Sequence, residues 1–272
     1  MILLIASTKD KAGSNIATQL LSNHGFEETS ESLFGHKAYS RKLQSGETAK
    51  LAFTEQRPID TQSLEFPSPP RLLIFLSRHK SKSGTPTLSV HTPGNLGKAD
   101  LGGLPRTVSI SPASAMKEAL RAMEKAKEEL DLDYEVSYEC THHGPSLNVP
   151  TMFVELGSSL RQWEDPVAAE AVARSAMAAA SHEKTQPTVL GIGGQHYSKK
   201  FTSKALSTEI AFGHIIPKYA ISEIDKEVLN QCVARTVEPV RKAVLDWKGI
   251  RGADKPRLLE LLGEINLEWE KA

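Results

Sequence analysis

Two short runs, Ile2-Leu3-Leu4-Ile5-Ala6 and Leu72-Leu73-Ile74-Phe75-Leu76, contain no polar side chain and end against polar segments. Neither approaches the roughly 20 apolar residues a bilayer span requires. Successive side chains of a strand point to opposite faces, so both runs fit central strands covered on both sides. A helix is expected from about Ser14, with Ile16, Ala17, Leu20 and Leu21 on one face and Gly25 closing it. His36–Leu43 and Thr48–Thr54 read as strands, joined by the turn 44–47. Ser111-Pro112 reads as N-cap and first position of a helix whose apolar stripe is Met116, Ala119, Leu120, Met123, Ala126 and Leu130.

Strands follow at 134–140, 151–156 and 188–192, with an Ala-rich helix opened by Asp165-Pro166 between the last two. Apolar spacing predicts helices near 223–231, 236–247 and 256–270. The alternation predicts one domain over residues 1–272, a three-layer α/β/α arrangement with a mixed sheet. Residues 30–110 read as an elaboration on it that carries functional loops.

Lys and Arg total 33 and balance 33 Asp and Glu. Zero net charge argues against a protein that coats nucleic acid but leaves room for a local basic patch, and no DNA partner is expected. Cys140 and Cys232 lie outside any CxxC pattern, so a cytoplasmic protein without a disulfide framework is expected. Neither a signal segment nor a membrane span is expected, since the apolar start lacks a basic lead and breaks at Ser7-Thr8-Lys9-Asp10, and a monomer is expected.

Histidine exchanges protons near neutral pH and binds zinc, and here it clusters after strands. His79 stands in Ser77-Arg78-His79-Lys80 and His142-His143 in Thr141-His142-His143-Gly144-Pro145. His91 precedes Thr92-Pro93-Gly94-Asn95, and His196 follows Gly191-Ile192-Gly193-Gly194-Gln195. In an extended segment His142 and His143 would face opposite sides, one toward a site and one away. Glu155 interrupts the apolar strand 151–156 and needs a partner there, whether imidazole, metal or an arginine such as Arg78 or Arg161. His79, His142, His143 and Glu155 are therefore the candidate catalytic residues. A polar turn with capping imidazoles is the competing structural reading.

Arg78, Lys80 and Lys82, together with Lys199 and Lys200, would suit a phosphate backbone. Gly193 and Gly194 would let a substrate approach the main chain beside His196, although the run lacks GxGxxG spacing. No HExxH or zinc-finger spacing occurs, so a zinc ion would need dispersed ligands. His79, His91, His142 and Glu155 are the candidates for that role.

The stretches SRHKSKSGTPTLSVHTPGN (77–95), CTHHGP (140–145), VELGSS (154–159) and GIGGQHYSKKFT (191–202) resemble the D-aminoacyl-tRNA deacylase family of archaea and plants. The opening ILLIASTKDKAGSNIA is similar as well, so the resemblance covers nearly the whole chain. It implies hydrolysis of the ester joining a D-amino acid to the terminal ribose of tRNA, a role in translation quality control. It also implies zinc dependence and a phosphorylase/hydrolase-like fold. Two mechanisms stay open: zinc-activated water, or water activated by a histidine that Glu155 orients. Two rival functions are a phosphorylase-like or amidohydrolase activity on a small metabolite, and a non-catalytic RNA-binding module.

Overall fold

A computed structural model describes all residues, 1–272. The chain begins with β1 (Ile2–Ser7), α1 (Lys11–Asn23), β2 (Glu27–Leu33), β3 (His36–Lys42), β4 (Thr48–Thr54) and a 3-10 helix over Pro58–Ser63. There follow β5 (Leu72–Arg78), β6 (Thr87–His91), β7 (Gly94–Asn95), β8 (Thr107–Val108), α2 (Ala113–Glu129) and β9 (Glu135–Tyr138). Next come β10 (Thr151–Gly157), α3 (Leu160–Trp163), α4 (Pro166–Ser181), β11 (Thr188–Ile192), α5 (Lys199–Ser207) and β12 (Ala211–Ile216). The last elements are α6 (Lys226–Ala234), β13 (Val240–Leu245), α7 (Lys255–Glu264) and β14 (Glu268–Lys271). No helix is long and apolar enough to cross a membrane.

Eight strands form a mixed sheet in the order β2-β3-β4-β1-β5-β10-β6-β9, and four parallel strands form a second, β12-β11-β13-β14. Large mixed sheet and flanking helices together give the α/β class expected from the sequence. Within residues 30–110, β3, β4, β5 and β6 are members of the large sheet. β1 lies between β4 and β5, parallel to both, and every one of its residues is buried.

The two faces of the large sheet are covered differently. Ile2, Leu4, Ala6, Ile74 and Leu76 share a core with residues of α1, α2 and α4. Leu3, Ile5, Leu73, Phe75 and Phe153 pack instead with Leu33 and Leu147, flanked by Phe34, Leu64, Phe66 and Val149. That second face has loops and strand ends over it in place of a helical layer. The outer helices α6 and α7 serve the second sheet, where Leu190, Ile192 and Leu245 meet Leu229, Leu258 and Leu262.

Several local expectations gave way to long-range packing. Residues 236–247 do not form a helix, because Val240–Leu245 pairs with β11 as β13. The expected helix 256–270 ends at Glu264, and Asn266 turns the chain with φ of 51° into β14. The first helix starts at Lys11, three residues early, because the Asp10 carboxylate accepts the Gly13 N–H at 2.9 Å. At α2 the Ser111 cap is replaced by Glu238, which accepts the Ala113 and Ser114 N–H groups at 3.1 and 2.8 Å.

Gly13 marks where α1 is pressed onto β5. A β-carbon there would lie 2.4 Å from the Leu76 carbonyl oxygen. Gly13→Ala is therefore expected to lower stability by about 1–3 kcal/mol. Gly252→Ala, with nothing within 4 Å, should be neutral. Urea unfolding midpoints compare the two, and equal midpoints would show that α1 has room to shift.

Candidate active site

The carboxyl ends of β5 and β10 carry His79 and Glu155 to one place, while β6, antiparallel to β10, returns His91 opposite Phe153. The backbone after β9 is held by the second sheet: Cys140 N–H donates to the His196 carbonyl at 2.9 Å, and Thr141 N–H to that of Ile215 at 2.8 Å. His196 and the double-histidine turn thereby join the strand-end residues. The imidazole centroid of His142 lies 4.3 Å from those of His91 and His143 and 4.4 Å from that of His196. Five histidines meet two carboxylates.

The second carboxylate, Glu139, was not among the residues singled out from the sequence. Its side chain is fully buried and its Oε2 lies 2.7 Å from His196 Nε2 and 3.6 Å from His142 Nε2. His79 Nδ1 hydrogen-bonds Glu155 Oε2 at 3.3 Å and touches Glu139 Oε1 at 3.0 Å, outside the hydrogen-bonding direction. Glu155 therefore pairs with His79, with His91 Nε2 3.8 Å away, and with neither Arg78 nor Arg161. Arg78 instead reaches toward Asp10 at 3.9 Å and covers the Trp163 ring.

His142 and His143 do not face opposite ways. His143 has a φ of 42°, so the segment turns and both rings line the same cavity. A carbonyl only accepts, so the proton sits on His142 Nδ1, 2.8 Å from Cys140 O, and on His143 Nδ1, 2.7 Å from Gly144 O. As neutral rings they keep a lone pair on each Nε2. Burial and the neighbouring histidines push His142 well below its usual range and His143 down to about 4.

His79 and His196 behave in the opposite way. Burial would lower both, but Glu139 and Glu155 raise His79, and Cys140 and Glu139 raise His196, each to about 10. Burial would likewise raise Glu139, but His196 and His79 hold it well below the usual carboxylate range. Glu155 is held down in the same sense by His79 and His91. Two buried negative charges are thus balanced by two imidazolium charges.

A divalent cation would supply the same two charges. The donor set fits one: His91, 1% exposed, has no partner for either ring nitrogen, and Glu139 Oε1 is buried without a hydrogen bond. Ligand atoms of His91, Glu139 and Glu155 lie within 4.8 Å of one another, as do those of His91, His142 and His143. Neutral imidazoles and carboxylates are zinc donors.

A cavity of about 600 Å³ opens over this floor, and Lys9, Arg57, Arg78, Lys80 and Lys82 line it together with Tyr197. Lys199 and Lys200 lie elsewhere, in the groove beside Lys218, and are paired with Glu135 and Asp246. Gly193 and Gly194 pack toward Asp246 and do not face the cavity. A β-carbon on Gly193 would lie 3.0 Å from the Asp246 carbonyl.

His214 supports the turn from beneath. Its Nε2 donates to the Arg235 carbonyl at 3.1 Å, so its Nδ1 accepts from Thr141 Oγ1 at 3.1 Å. Burial pushes this imidazole down from 6.5 to about 4. The folded protein favours the neutral ring, so its contribution is complete above about pH 6.5 and is lost as pH falls toward 4. Over that window the wild type should lose up to about 3 kcal/mol more stability than His214→Gln. Parallel losses in urea titrations at pH 7 and pH 4.5 would show that His214 is not the titrating group.

A family model described as D-aminoacyl-tRNA deacylase matches residues 66–270. The D-aminoacyl-tRNA deacylase of Pyrococcus furiosus is 38% identical over 98% of this chain and 99% of its own. That of Methanosarcina acetivorans is 36% identical over 98% of this chain and 91% of its own. A crystal structure of a conserved protein of unknown function superposes with a TM-score of 0.89 at 31% identity, covering 100% of this chain and 95% of that one.

Proposed function

We propose that this chain, which belongs to the D-aminoacyl-tRNA deacylase family and hydrolyses the ester between a D-amino acid and tRNA, does so over the floor of His79, His91, Glu139, His142, His143, Glu155 and His196. One observation carries this reading: two buried carboxylates are ringed by five imidazoles at the base of a basic-walled cavity.

In ester hydrolysis a water oxygen bonds to the carbonyl carbon and the bond to the ribose oxygen breaks. One water proton ends on that ribose oxygen, and the new carboxylic acid releases another. The Nε2 lone pair of His143, whose Nδ1–H is held by Gly144 O, accepts the proton from water. His79, gripped through Nδ1 by Glu155, supplies a proton from Nε2 to the departing oxygen. His196 is held at both nitrogens, by Cys140 Sγ at 3.4 Å and Glu139, and therefore orients Glu139.

His91, Glu139 and Glu155, with His142, would hold the zinc that the family resemblance implies. When bound, zinc lowers the pKa of a coordinated water to about 7 and polarises a carbonyl. Deacylation of D-aminoacyl-tRNA by wild type, chelator-treated protein and Glu139→Gln tests the reading. Both the treated protein and the variant should lose bound zinc by elemental analysis and lose turnover by about 10²–10⁴-fold, while still binding tRNA. Full turnover by protein shown to be metal-free would leave the histidines to activate water unaided. Full turnover by Glu139→Gln would move the chemistry elsewhere.

The phosphates of the acceptor end are assigned to Lys9, Lys80 and Lys82, which line the cavity and form no ion pair, and to Arg78. Lys199 and Lys200 already have carboxylate partners and contribute less. Replacing Lys9, Lys80 and Lys82 with alanine should reduce the salt dependence of tRNA binding, by about 0.7–0.9 in slope for each phosphate no longer neutralised. The Lys199→Ala, Lys200→Ala protein should keep nearly the wild-type slope, and the opposite ranking would place the acceptor end over the second sheet.

A further inference from the structure

Pro58, Ile59 and Leu101 give the cavity an aliphatic edge among mainly polar and charged walls. Leu101 is 58% exposed, although its backbone is fixed from several directions. Its carbonyl accepts the Gly144 N–H at 3.0 Å, directly beside His143. Asn95 Nδ2 donates to the Gly102 and Leu104 carbonyls at 2.8 and 3.2 Å, and Leu104 N–H donates to Ser146 Oγ at 3.1 Å.

Gly102 and Gly103 have φ of 76° and 78°, a region that favours glycine. A β-carbon on Gly102 would fall 1.9 Å from the Ile59 carbonyl oxygen, and one on Gly103 2.9 Å from Gly144 Cα. The strap 101–104 is thus clamped between the 3-10 helix and the double-histidine turn. A single exposed leucine is ordinary on a surface. An exposed leucine on an anchored strap at the lip of a polar cavity has somewhere specific to be buried: against whatever enters.

We propose that Leu101, backed by Ile59, is a specificity-determining contact for the side chain of the esterified amino acid and favours aliphatic and aromatic acyl groups. This rests on the reading that His142, His143 and their neighbours form the reacting floor. The substrate offers two apolar parts, the acyl side chain and the face of the terminal adenine. The side chain is attached to the carbon next to the reacting carbonyl, whereas the adenine is separated from it by the ribose. Leu101 adjoins His143, and the edge it forms contains no aromatic ring on which a base would stack. The phosphodiester side of the substrate is matched by the lysines, which leaves the aliphatic edge for the acyl group.

The test is the ratio of kcat/KM for tRNA carrying D-leucine or D-phenylalanine to that for tRNA carrying D-alanine, in wild type and Leu101→Ala. The preference for the larger acyl groups should fall about tenfold, the scale on which one aliphatic group in a binding pocket discriminates. Thermal unfolding should be unchanged, because the side chain is exposed. An unchanged ratio overturns the proposal, whether both rates stay level or both drop together, the latter placing Leu101 against the nucleotide. Failure of the underlying reading is separate: His143→Ala would then keep full turnover while Leu101→Ala gives any result.

Discussion

Two carboxylates are buried where a sheet ends, and the imidazoles around them exist in their observed states because of that burial. Glu139 and Glu155 cannot be left unpaired in such a place without a cost of several kcal/mol. They are met by His79 and His196 on one side and approached by His91 and His142 on the other. The result divides chemically similar side chains into two populations. His79 and His196, in contact with the carboxylates, hold protons, while His142 and His143, tied to main-chain carbonyls, stay neutral. A donor and an acceptor of protons are thereby placed within one small volume.

Positioning that constellation takes both sheets. The large sheet delivers His79, His91 and Glu155 from three neighbouring strands. Glu139 leaves the edge strand β9, and the second sheet then grips the following residues through His196 and Ile215. His214 and Thr141 extend this junction below the turn. Asp10 ties the other side together by capping α1 while accepting the Arg78 N–H at 3.2 Å.

Much of the fold was legible because its signals are local. The runs 2–6 and 72–76 announce buried central strands, and the histidine clusters lie at strand ends. Glu139 was missed for a physical reason. Glu135, Ser137 and Glu139 form the polar half of an alternating strand, which normally faces water. Here residues 196–202, the loop after β11 and the start of α5, cover that face, leaving Ser137 and Glu139 3% and 1% exposed. Only its place three residues before His142 could have drawn notice to it. The segment 240–245 misled in the same manner: its spacing suits a helix, and only the neighbouring β11 makes it a strand. Lys199 and Lys200 show what a sequence leaves out, since their charge says nothing of the carboxylates Glu135 and Asp246 that the fold brings to them.

The stitching of residues 139–141 to the loops of a separate sheet also bears on when the protein becomes competent. His79 and His196 are far apart along the chain, and pairings this remote form late because the loop entropy must be met first. A nascent or partly unfolded chain would carry the histidines on scattered loops, with Glu139 in water and no reason for any ring to hold a particular proton. Aminoacyl esters are the currency of translation, and a hydrolase with a half-built centre would be a hazard to them. Because the proposed centre arises where loops of the second sheet meet strand ends of the first, its assembly requires both sheets to be folded.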